Sequence, residues 1–521
     1  MNIRELSLLA LLFGSLTLVG CGGGGDSDDP VETPEPTPVE DNDDNSDGDN
    51  AGDDSGDDEA EDNLPTTYEF SNSNGEDTVS YTGQTKRQIL IDDLVAEMNG
   101  LTEDAAADVE SQLNFYFRYD AATSDDLTPQ FDLEGESLLP QNDASQFTYG
   151  AIAGGKDLVG KIAGGDGTGG GETGTLVGDF FGWSQGLDAD PLPVELVDYF
   201  FAELASEVTD GVTPQIATVS GDVPLDTVTV SAEGLDYRQL IQKFLLGAVA
   251  FSQGTSDYLQ SDFATMLESE DGAAYTEGEH NWDEAFGYFG AARDYGDYSD
   301  LEIRAAGGRA DYQNGYHDSN GDGLIDIRSE YNFGNSVNCA KRDVGSADNT
   351  NPTDLTQQAF DAFIAGRHIL AQAAEAGELT AEQQTQLDEH IATAAVTWEK
   401  CVAATVVHYI NDVVADMGEF SDGKFASLDN FKNLAKHWGE MKGFALGLQF
   451  SPESPFAADE QSRDNLRELL ALMGDAPVLA DGTQGGATYE GGTAAYIEGL
   501  NQARDLLQEA YDFDAENVEN W

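Results

Sequence analysis

Apolar residues recur at helical spacing through most of this chain, and this periodicity restricts the possible folds more than any other feature. In residues 85–98, for example, Leu90, Ile91, Leu94, Val95 and Met98 fall on one stripe of a helix. The same spacing occurs in residues 103–119, 194–208, 237–251, 256–267, 282–292, 354–376, 380–416, 428–448, 460–473 and 494–513. Helices of this length with one apolar face pack into bundles. The sequence therefore predicts a mainly α protein with a helical bundle-type body.

Local signals divide this body into segments. Thr380 and Gln383 have the spacing of a capping box, and prolines in residues 451–455 predict a break between two helices. Short β-like segments occur only at residues 217–219 and 227–231. Residues 153–183 are rich in glycine and lack the Gly-Lys-Ser/Thr order of a phosphate-binding loop, so we expect a long loop there. The body is predicted to span residues 66–521, with two helical subdomains meeting near residues 345–355 as an alternative.

Charge excludes several classes of partner. The chain has 100 acidic residues against 23 basic ones, a formal net charge of −77. Nucleic acids and anionic lipid surfaces both require a basic face, so neither is an expected partner. Residues 22–65 contain 18 of the acidic residues, no Lys or Arg and almost nothing apolar, which predicts a disordered acidic tether. An acidic metal-binding tail is the alternative. From residue 66 onward there are still 81 acidic and 22 basic residues, so the body itself is expected to be acidic.

The first residues have the pattern of a bacterial lipoprotein signal. Arg4 precedes an apolar run that ends in Leu18-Val19-Gly20-Cys21, which resembles a lipobox, in which the cysteine receives a diacylglycerol before cleavage. We expect a signal peptide at residues 1–20 and a mature chain that begins with lipidated Cys21, carrying palmitate-type acyl chains. Gly22 in place of Asp favours the outer membrane, on its periplasmic or surface side. An ordinary cleaved signal without lipid is the alternative.

Three cysteines exclude a disulfide-dense scaffold. Once Cys21 is lipidated, Cys339 and Cys401 are the remaining thiols. In an oxidising envelope they are able to pair, but the sequence does not show whether they lie close together.

A calcium-like loop is the most specific local motif. Its oxygen ligands are Asp318, Asn320, Asp322 and Asp326 at positions one, three, five and nine, with the carbonyl of Leu324 at seven. Position twelve is Ser329 instead of a bidentate Glu, and Glu330 follows one residue later. The loop predicts a structural Ca²⁺ site closed by Glu330, with an ion-free Asp/Asn/Gly turn as the alternative.

Histidines supply a second set of candidate metal ligands, although no His-Glu-x-x-His pair supports a classical zincin. The segment 278–284 approximates the Gly-x-His-x-x-Glu signature of the imelysin family through His280, with Asp283 in place of Glu and Glu284 one step late. The alternative is that His280 simply begins a helix with a buried aromatic stripe.

Two further helices carry histidine beside a carboxylate. His408 and Asp412 are one turn apart on one helix, and His437 and Glu440 share a face of the next. Facing helices of a bundle are able to build a Fe or Zn site in this way. The alternative is that these side chains point to solvent. A Gly-x-Ser-x-Gly string around Ser184 lacks the helix that follows a nucleophile elbow, so it does not predict a serine hydrolase.

Several separated blocks resemble one known family. They are residues 81–87 (YTGQTKR), 237–244 (YRQLIQKF), 282–290 (WDEAFGYFG) and 438–444 (WGEMKGF). Together they resemble the bacterial lipoprotein family called domain of unknown function 4856, from about residue 64 to the C-terminus. The resemblance implies a mainly helical protein similar to imelysin-like envelope proteins, which are associated with iron acquisition. It implies no particular reaction.

Three functions remain open from the sequence. The leading hypothesis is a non-enzymatic outer-membrane lipoprotein that binds a ligand, a metal or a partner such as a TonB-dependent receptor during iron acquisition. The second is an imelysin-like metallopeptidase that uses His280 with Asp283 or Glu284. The third is a structural surface protein with a Ca²⁺-stabilised loop.

Overall fold

Long helices make up most of the computed structural model, which describes residues 64–102, 108–130, 132–133, 136–137, 146, 148–165, 176–188, 191–209, 212–269 and 272–521. The predicted signal peptide and lipidated Cys21 lie outside these residues, as does all of the predicted tether except residues 64 and 65. The helices are α1 (Thr82–Asn99), α2 (Val109–Phe117), α3 (Ala121–Ser124), α4 (Tyr149–Ile152), α5 (Pro193–Thr209), α6 (Tyr237–Leu245), α7 (Ser252–Ser256), α8 (Glu277–Phe289), α9 (Asp300–Ile303), α10 (Gly334–Ser346), α11 (Leu355–Ala376), α12 (Ala381–Gly418), α13 (Leu428–Gly447), α14 (Glu460–Met473), α15 (Gly492–Tyr511) and α16 (Ala515–Asn520). The mainly α prediction is confirmed.

β structure is confined to short antiparallel pairs in the part of the chain that the structure describes. The strands are β1 (Asp132–Leu133) with β2 (Glu136–Ser137), β3 (Gln215–Thr218) with β4 (Gly221–Pro224), and β5 (Thr483–Gln484) with β6 (Ala487–Thr488). In the longest pair, Gln215 stands opposite Pro224 and Thr218 opposite Gly221. The predicted β segment at residues 217–219 overlaps β3. The prediction at 227–231 is wrong, since that segment forms only an isolated bridge from Val230 to Asp236.

The 38-residue helix α12 organises the body. It packs against α10, α11, α13 and α15, and α13 in turn packs against α6. Between α6 and α7 the chain forms a π-helical segment, Leu246–Phe251, which crosses the end of α13. A Cβ on Gly247 would lie 2.8 Å from the Cα of Gly447, so two glycines allow this close crossing. The buried apolar residues form one continuous cluster that includes residues on both sides of 345–355.

A disulfide joins two of these core helices. Cys339 of α10 and Cys401 of α12 are bonded, and both are fully buried. The pairing that the sequence left open is therefore present. No helix among the described residues is long and apolar enough to cross a membrane.

Helix boundaries follow the sequence signals where a cap is present. The Thr380 hydroxyl accepts the N–H of Gln383 at 3.2 Å, and the Gln383 side chain accepts the N–H of Thr380 at 3.1 Å, so the predicted capping box is confirmed. A second capping box, between Thr276 and Glu279, starts α8 five residues before the predicted start at Trp282.

Two predictions of helix content fail. The predicted helix at residues 256–267 is wrong, because α7 ends at Ser256 and only two single 3₁₀ turns follow it. Here the hydroxyls of Ser256 and Thr265 donate to the carbonyls of Phe450 and Asp262. The sequence also gave no signal for α10, since much of its buried surface is polar.

Candidate functional site

A surface cleft lies where the end of the glycine-rich segment meets α14. We call it the α14 cleft; it has a volume of about 630 Å³ and is lined by residues 181–185, Arg467, Leu470, Ala471, 474–476, Gln484 and Gly485. This volume falls within the range of about 300–1,000 Å³ that is usual for sites of small organic ligands. Both polar and apolar side chains line it.

Gly182 allows residues 181–185, which form one wall of the cleft, to lie close to α14, which forms the opposite wall. Gly182 has a φ of +97°, and a Cβ at this position would lie 2.6 Å from Cδ1 of Leu470 on α14. Any other residue would therefore strain the backbone and collide with the helix. This close approach places Phe181 and Trp183 along α14.

The same wall is fixed by two side chains from distant parts of the chain. The amide of Gln449 accepts the N–H of Phe181 and donates to its carbonyl, both at 3.1 Å. One carboxylate oxygen of Asp475 accepts the N–H and hydroxyl of Ser184, at 3.0 and 2.6 Å, and the N–H of Gln185 at 3.1 Å. The cleft is thus formed before any ligand enters, which lowers the entropy cost of binding.

Aromatic and basic side chains determine the chemistry of the cleft. The guanidinium carbons of Arg463 and Arg467 lie 5.4 and 4.8 Å from the ring centre of Phe181, within the range of cation–π contact. Trp183 packs edge-on against Phe200, and its indole N–H donates to the carbonyl of Gln185 at 3.0 Å. The arrangement offers flat apolar surface next to fixed positive charge.

A buried lysine lies beside this wall. The Nζ of Lys442 on α13 is 6.0 Å from the ring centre of Trp183 and donates to the carbonyl of Leu470 at 3.1 Å. Burial lowers the pKa of Lys442 to about 8, against the opposing charge of Asp475. The cost of removing this ammonium from water is therefore only partly offset by its neighbours.

The predicted calcium loop forms a tight turn that is held by its own hydrogen bonds. Oδ1 of Asp318 accepts the N–H groups of Gly321 and Asp322, and Oδ2 accepts that of Gly323 at 2.7 Å. Gly323 has a φ of +84°, as the sharp turn at position six requires. Two further turns are closed by hydrogen bonds to short side chains. The side-chain oxygen of Asn320 accepts the N–H of Asp322, and a carboxylate oxygen of Asp322 accepts the N–H of Leu324.

The closing residues of this loop are bound to other groups. Glu330 is buried and accepts the N–H and hydroxyl of Ser319, at 3.0 and 2.8 Å, and the N–H of Asp326 at 2.8 Å. Asp326 forms a two-pronged ion pair with Arg328, at 3.0 and 2.9 Å. A Ca²⁺ ion would have to compete with these contacts, so calcium binding remains a prediction.

The imelysin-like motif on α8 is divided between two environments. Asp283 is completely buried and receives hydrogen bonds from Arg367 at 2.8 Å, from the Tyr68 hydroxyl at 2.9 Å and from the Ser80 N–H at 3.0 Å. Arg367 also pairs with Glu279 at 2.7 Å, so two acids share one buried guanidinium. Asp283 therefore has a structural role at the centre of the core.

His280 and Glu284 face a different neighbourhood. The His280 Nε2 is 3.5 Å from an oxygen of Glu284, which also accepts the amide of Gln84 at 2.7 Å. Burial would raise the pKa of Glu284, but its bonds to His280, Gln84 and Tyr258 lower it below its usual value. A carboxylate with so many donors is stable as an anion and is a poor proton donor.

The predicted pair of histidines on α12 and α13 does come together. An oxygen of Asp412 lies 3.3 Å from Nε2 of His408 and 3.9 Å from Nε2 of His437. The Nδ1 of His437 is 2.8 Å from Asp416. Burial lowers the pKa of His437, but the bond to Asp416 and the nearby carboxylates raise it by more, so its pKa is raised overall.

Glu440 lies next to Lys243 instead of taking part in a metal-ligand set, with 3.5 Å between the charged groups. Throughout the described ranges, no group of three or more His, Cys, Asp and Glu side chains stands close enough to hold a metal ion. A transition metal between α12 and α13 would thus require these side chains to move, and it remains a prediction.

Sequence reasoning missed the α14 cleft. The Gly-x-Ser-x-Gly string around Ser184 does not indicate a cleft, since in sequence it is only an incomplete hydrolase motif. In the structure the Ser184 hydroxyl donates to the carboxylate of Asp475. One usable signal was present: Arg463 and Arg467 are one helical turn apart in a chain with very few basic residues. The contacts with Phe181 and Gln449 bring together segments far apart in sequence, and no local pattern announces them.

The fold and the cleft define a mainly helical protein with a preformed ligand-sized site beside its bundle. The family model for the domain of unknown function DUF4856 matches residues 188–475, and the chain belongs to this family. The match includes α5 to α14, the calcium-like loop and both histidine sites. Of the thirteen residues that line the cleft, it includes only the five on and just after α14. It is shorter than the resemblance predicted, and residues 81–87 lie outside it. The chain matches no curated protein and no solved structure.

Proposed function

We propose that this protein is a lipid-anchored outer-membrane protein whose helical body binds a small organic ligand and catalyses no reaction. The observation that carries the proposal is the α14 cleft, which has the volume of a ligand site and walls fixed by Gln449 and Asp475. Preformed concave sites with aromatic walls and a few polar groups are typical of ligand binding.

The chemistry of the cleft favours binding over catalysis. Ser184, the candidate nucleophile, donates its hydroxyl to Asp475, and no histidine lines the cleft in the described part of the chain. A serine nucleophile needs a base that takes its proton, usually an imidazole oriented by a third group. Lys442 is close to the wall, but its Nζ donates to the carbonyl of Leu470.

A variant that fills the cleft tests whether the cleft is the ligand-binding site. Ala471 lies on the exposed side of α14 and lines the cleft, so Ala471→Trp should block it without disturbing the core. Glu468→Trp places the same side chain on an exposed position of α14 outside the cleft and serves as the control. Native mass spectrometry of protein purified from the cell envelope should show a bound small molecule in the parent and control but not in Ala471→Trp. Equal occupancy in all three proteins would refute the cleft as the site.

The anchor is a separate part of the proposal, supported by the lipobox-like sequence that ends in Cys21. A Cys21→Ala variant should take up no labelled palmitate and should move from the outer-membrane fraction to the soluble fraction. Replacement of Asp26 by Ala, five residues later, is the control and should change neither result. A Cys21→Ala protein that stays in the outer membrane would argue against lipid anchoring.

Iron acquisition is the proposed context, in which the body would hold its ligand near a TonB-dependent receptor. The support is the similarity of the family to imelysin-like envelope proteins that the sequence blocks imply. Expression should rise under iron limitation, and elemental analysis of protein purified without chelator should show whether Fe, Zn or Ca accompanies it. Unchanged expression and a protein free of iron would remove this context while leaving the cleft as a ligand site.

The metallopeptidase alternative gains no support from the geometry. A catalytic metal would need His280 to act with Asp283 or Glu284, yet Asp283 is held by Arg367, Tyr68 and Ser80. The structural alternative does have a specific observation in its favour, the prefolded turn of residues 318–326 with Gly323 at a left-handed φ. A Ca²⁺ ion there would stabilise the fold and is compatible with ligand binding at the cleft.

A further inference from the structure

Two arginines lie side by side on α14 although the chain has few basic residues, and one of them, Arg467, lines the α14 cleft. Arg463 and Arg467 are one helical turn apart, and both guanidinium groups lie over the ring of Phe181. Basic residues number 23 against 100 acidic ones. Like charges at this spacing repel each other and destabilise a helix. Even in a chain with so many carboxylates, a pair of adjacent arginines is unfavourable unless negative charge offsets it.

The acids near the pair compensate it incompletely. Arg467 pairs at 2.9 Å with Asp464 on the same helix, and both of these side chains are about half exposed, so solvent weakens that attraction. Nη2 of Arg463 is buried and finds no hydrogen-bond partner among the described residues. Burial, and then the charge of Arg467, lowers the pKa of Arg463, and the charge of Asp179 offsets this only in part. Asp475, the carboxylate in the cleft wall, already accepts three hydrogen bonds from the loop.

We infer that the ligand of the α14 cleft is an organic anion, with a carboxylate or phosphate group bound at Arg467 and an aromatic body against Phe181 and Trp183, all three of which line the cleft. Guanidinium groups match the geometry of both oxyanions, and an aromatic ring stacks on the flat side chains of the wall. The inference rests on the proposed function, because it names the chemical class of ligand for the same cleft. A bound anion offsets the repulsion between the two arginines. We therefore expect it to bind the cleft more tightly than a neutral molecule of the same shape.

Matched pairs of small probes test this inference by isothermal titration calorimetry of the purified full-length protein. Benzoate is compared with benzamide, and phenyl phosphate with phenol, so that each pair shares a ring and differs in charge. We expect each anion to bind at least about tenfold more tightly than its neutral partner, and the larger gain identifies carboxylate or phosphate as the preferred group. The preference should shrink as salt increases, because salt screens the arginines.

Arginine variants locate the effect. Arg467→Gln should remove most of the preference for the anion and leave the affinity for the neutral probe nearly unchanged, while Arg467→Lys should keep part of it. Arg118→Gln, which removes another exposed arginine, is the control and should bind like the parent. Arg463→Gln should reduce the preference less than Arg467→Gln does, because Arg463 does not line the cleft and acts on the anion only through its charge.

The outcomes separate the two proposals. If neutral and anionic probes bind equally well and Ala471→Trp blocks both, the anion inference is overturned and the cleft remains a ligand site. If the preference survives in Arg467→Gln, the anion binds elsewhere and the inference is overturned. If no probe responds to Ala471→Trp and native protein contains no ligand, the proposed function fails as well.

Discussion

Glu399 shows how one buried carboxyl couples this core to pH. It lies in the middle of α12 with no exposed surface, and its Oε1 accepts the hydroxyl of Tyr511 at 2.9 Å. Burial raises the pKa of Glu399 to about 8, although hydrogen bonds from Ser454 and Tyr511 oppose that shift. At neutral pH the group is therefore mostly protonated in the folded protein and ionised in the unfolded chain.

The sign of the resulting pH dependence is fixed by this raised pKa. Below about pH 4.5 the folded and unfolded forms hold the same proton, and between about 4.5 and 8 only the folded form keeps it. Unfolding then releases a proton, so the contribution of Glu399 to stability is lost as the pH rises through this window. Glu399→Gln should remove this loss and raise the free energy of unfolding at pH 8 relative to the parent, on the order of a few kcal/mol. Urea unfolding at several pH values measures the difference.

An exposed acid on the same helix provides the comparison. Glu389→Gln changes an exposed glutamate of α12 and should leave the pH dependence of unfolding nearly unchanged. A Glu399→Gln protein with the same pH profile as the parent would contradict the raised pKa.

The contacts of individual site residues are predictable from the sequence only where the partners are close in sequence. His408 and Asp412 are four residues apart on one helix, so their contact at 3.3 Å follows from helix geometry. Asp283, by contrast, was read as a candidate ligand because its partner Arg367 lies 84 residues away. The sequence alone does not show whether an aspartate binds a metal or a buried guanidinium. Only its contacts in the folded structure distinguish these two roles.

At the scale of elements, the disulfide connects α10 to α12 across 62 residues. Because α10 buries much polar surface, apolar burial alone stabilises it less than it does the neighbouring helices. A crosslink of this loop length stabilises a fold by about 4 kcal/mol when it mainly restricts the unfolded chain.

Removal of this crosslink should therefore lower stability without changing the fold. The double variant Cys339→Ala/Cys401→Ala should unfold at lower denaturant concentration, with a loss of up to about 4 kcal/mol and an unchanged far-UV circular dichroism spectrum. Reduction of the parent under denaturing conditions, followed by refolding in reductant, should reproduce the loss. An unchanged midpoint in both experiments would show that α10 is held by its packing alone.

The calcium-like loop gives a second prediction for a single element. If Ca²⁺ binds residues 318–330, it binds only the folded protein and raises the melting temperature in proportion to the logarithm of its concentration. EDTA should reverse the increase, and Mg²⁺ should replace Ca²⁺ poorly because it requires a smaller, more regular ligand shell. Differential scanning calorimetry measures these shifts.

Variants distinguish a specific site from general binding of cations to an acidic protein. Asp318→Asn with Asp322→Asn should abolish the shift, since both are predicted ligands. Asp348→Asn removes an exposed acid outside the loop and should preserve it. A parent protein that melts identically in Ca²⁺ and EDTA would rule out the site.

Elements were predictable where an apolar stripe and a cap coincide. Residues 380–416 have both, and α12 starts at the residue after the predicted N-cap. Polar residues explain both wrong predictions of helix content. Helix α10 was not predicted because it buries Asn335, Lys341 and Asp343, which no hydrophobic pattern marks as interior. In residues 256–267 the apolar residues have helical spacing, but hydroxyl groups bond to carbonyls outside a helix.

For the whole molecule, charge is the property that the sequence describes best. From residue 66 onward there are 81 acidic and 22 basic residues, so the excess belongs to the folded body and not only to the predicted tether. Ion pairs such as Arg367 with Asp283 and Lys86 with Asp125 place several of the basic residues in the interior. Such pairs remove acids from the surface together with bases, so the large negative excess remains on the outer surface and its charges repel one another in the folded state.

Salt should stabilise the folded protein through this repulsion. An increase in NaCl from about 0.01 M to about 1 M shortens the Debye length from about 30 Å to about 3 Å and screens charges on the surface more than those in the core. We expect the melting temperature to rise over this range, as measured by circular dichroism. A chain that begins at Thr66 should show nearly the same rise as a chain that begins at Cys21, the predicted mature start, because most of the excess charge is in the body. A rise that disappears when residues 21–65 are removed would assign the repulsion to the tether instead, and a fall in melting temperature with salt would contradict the effect altogether.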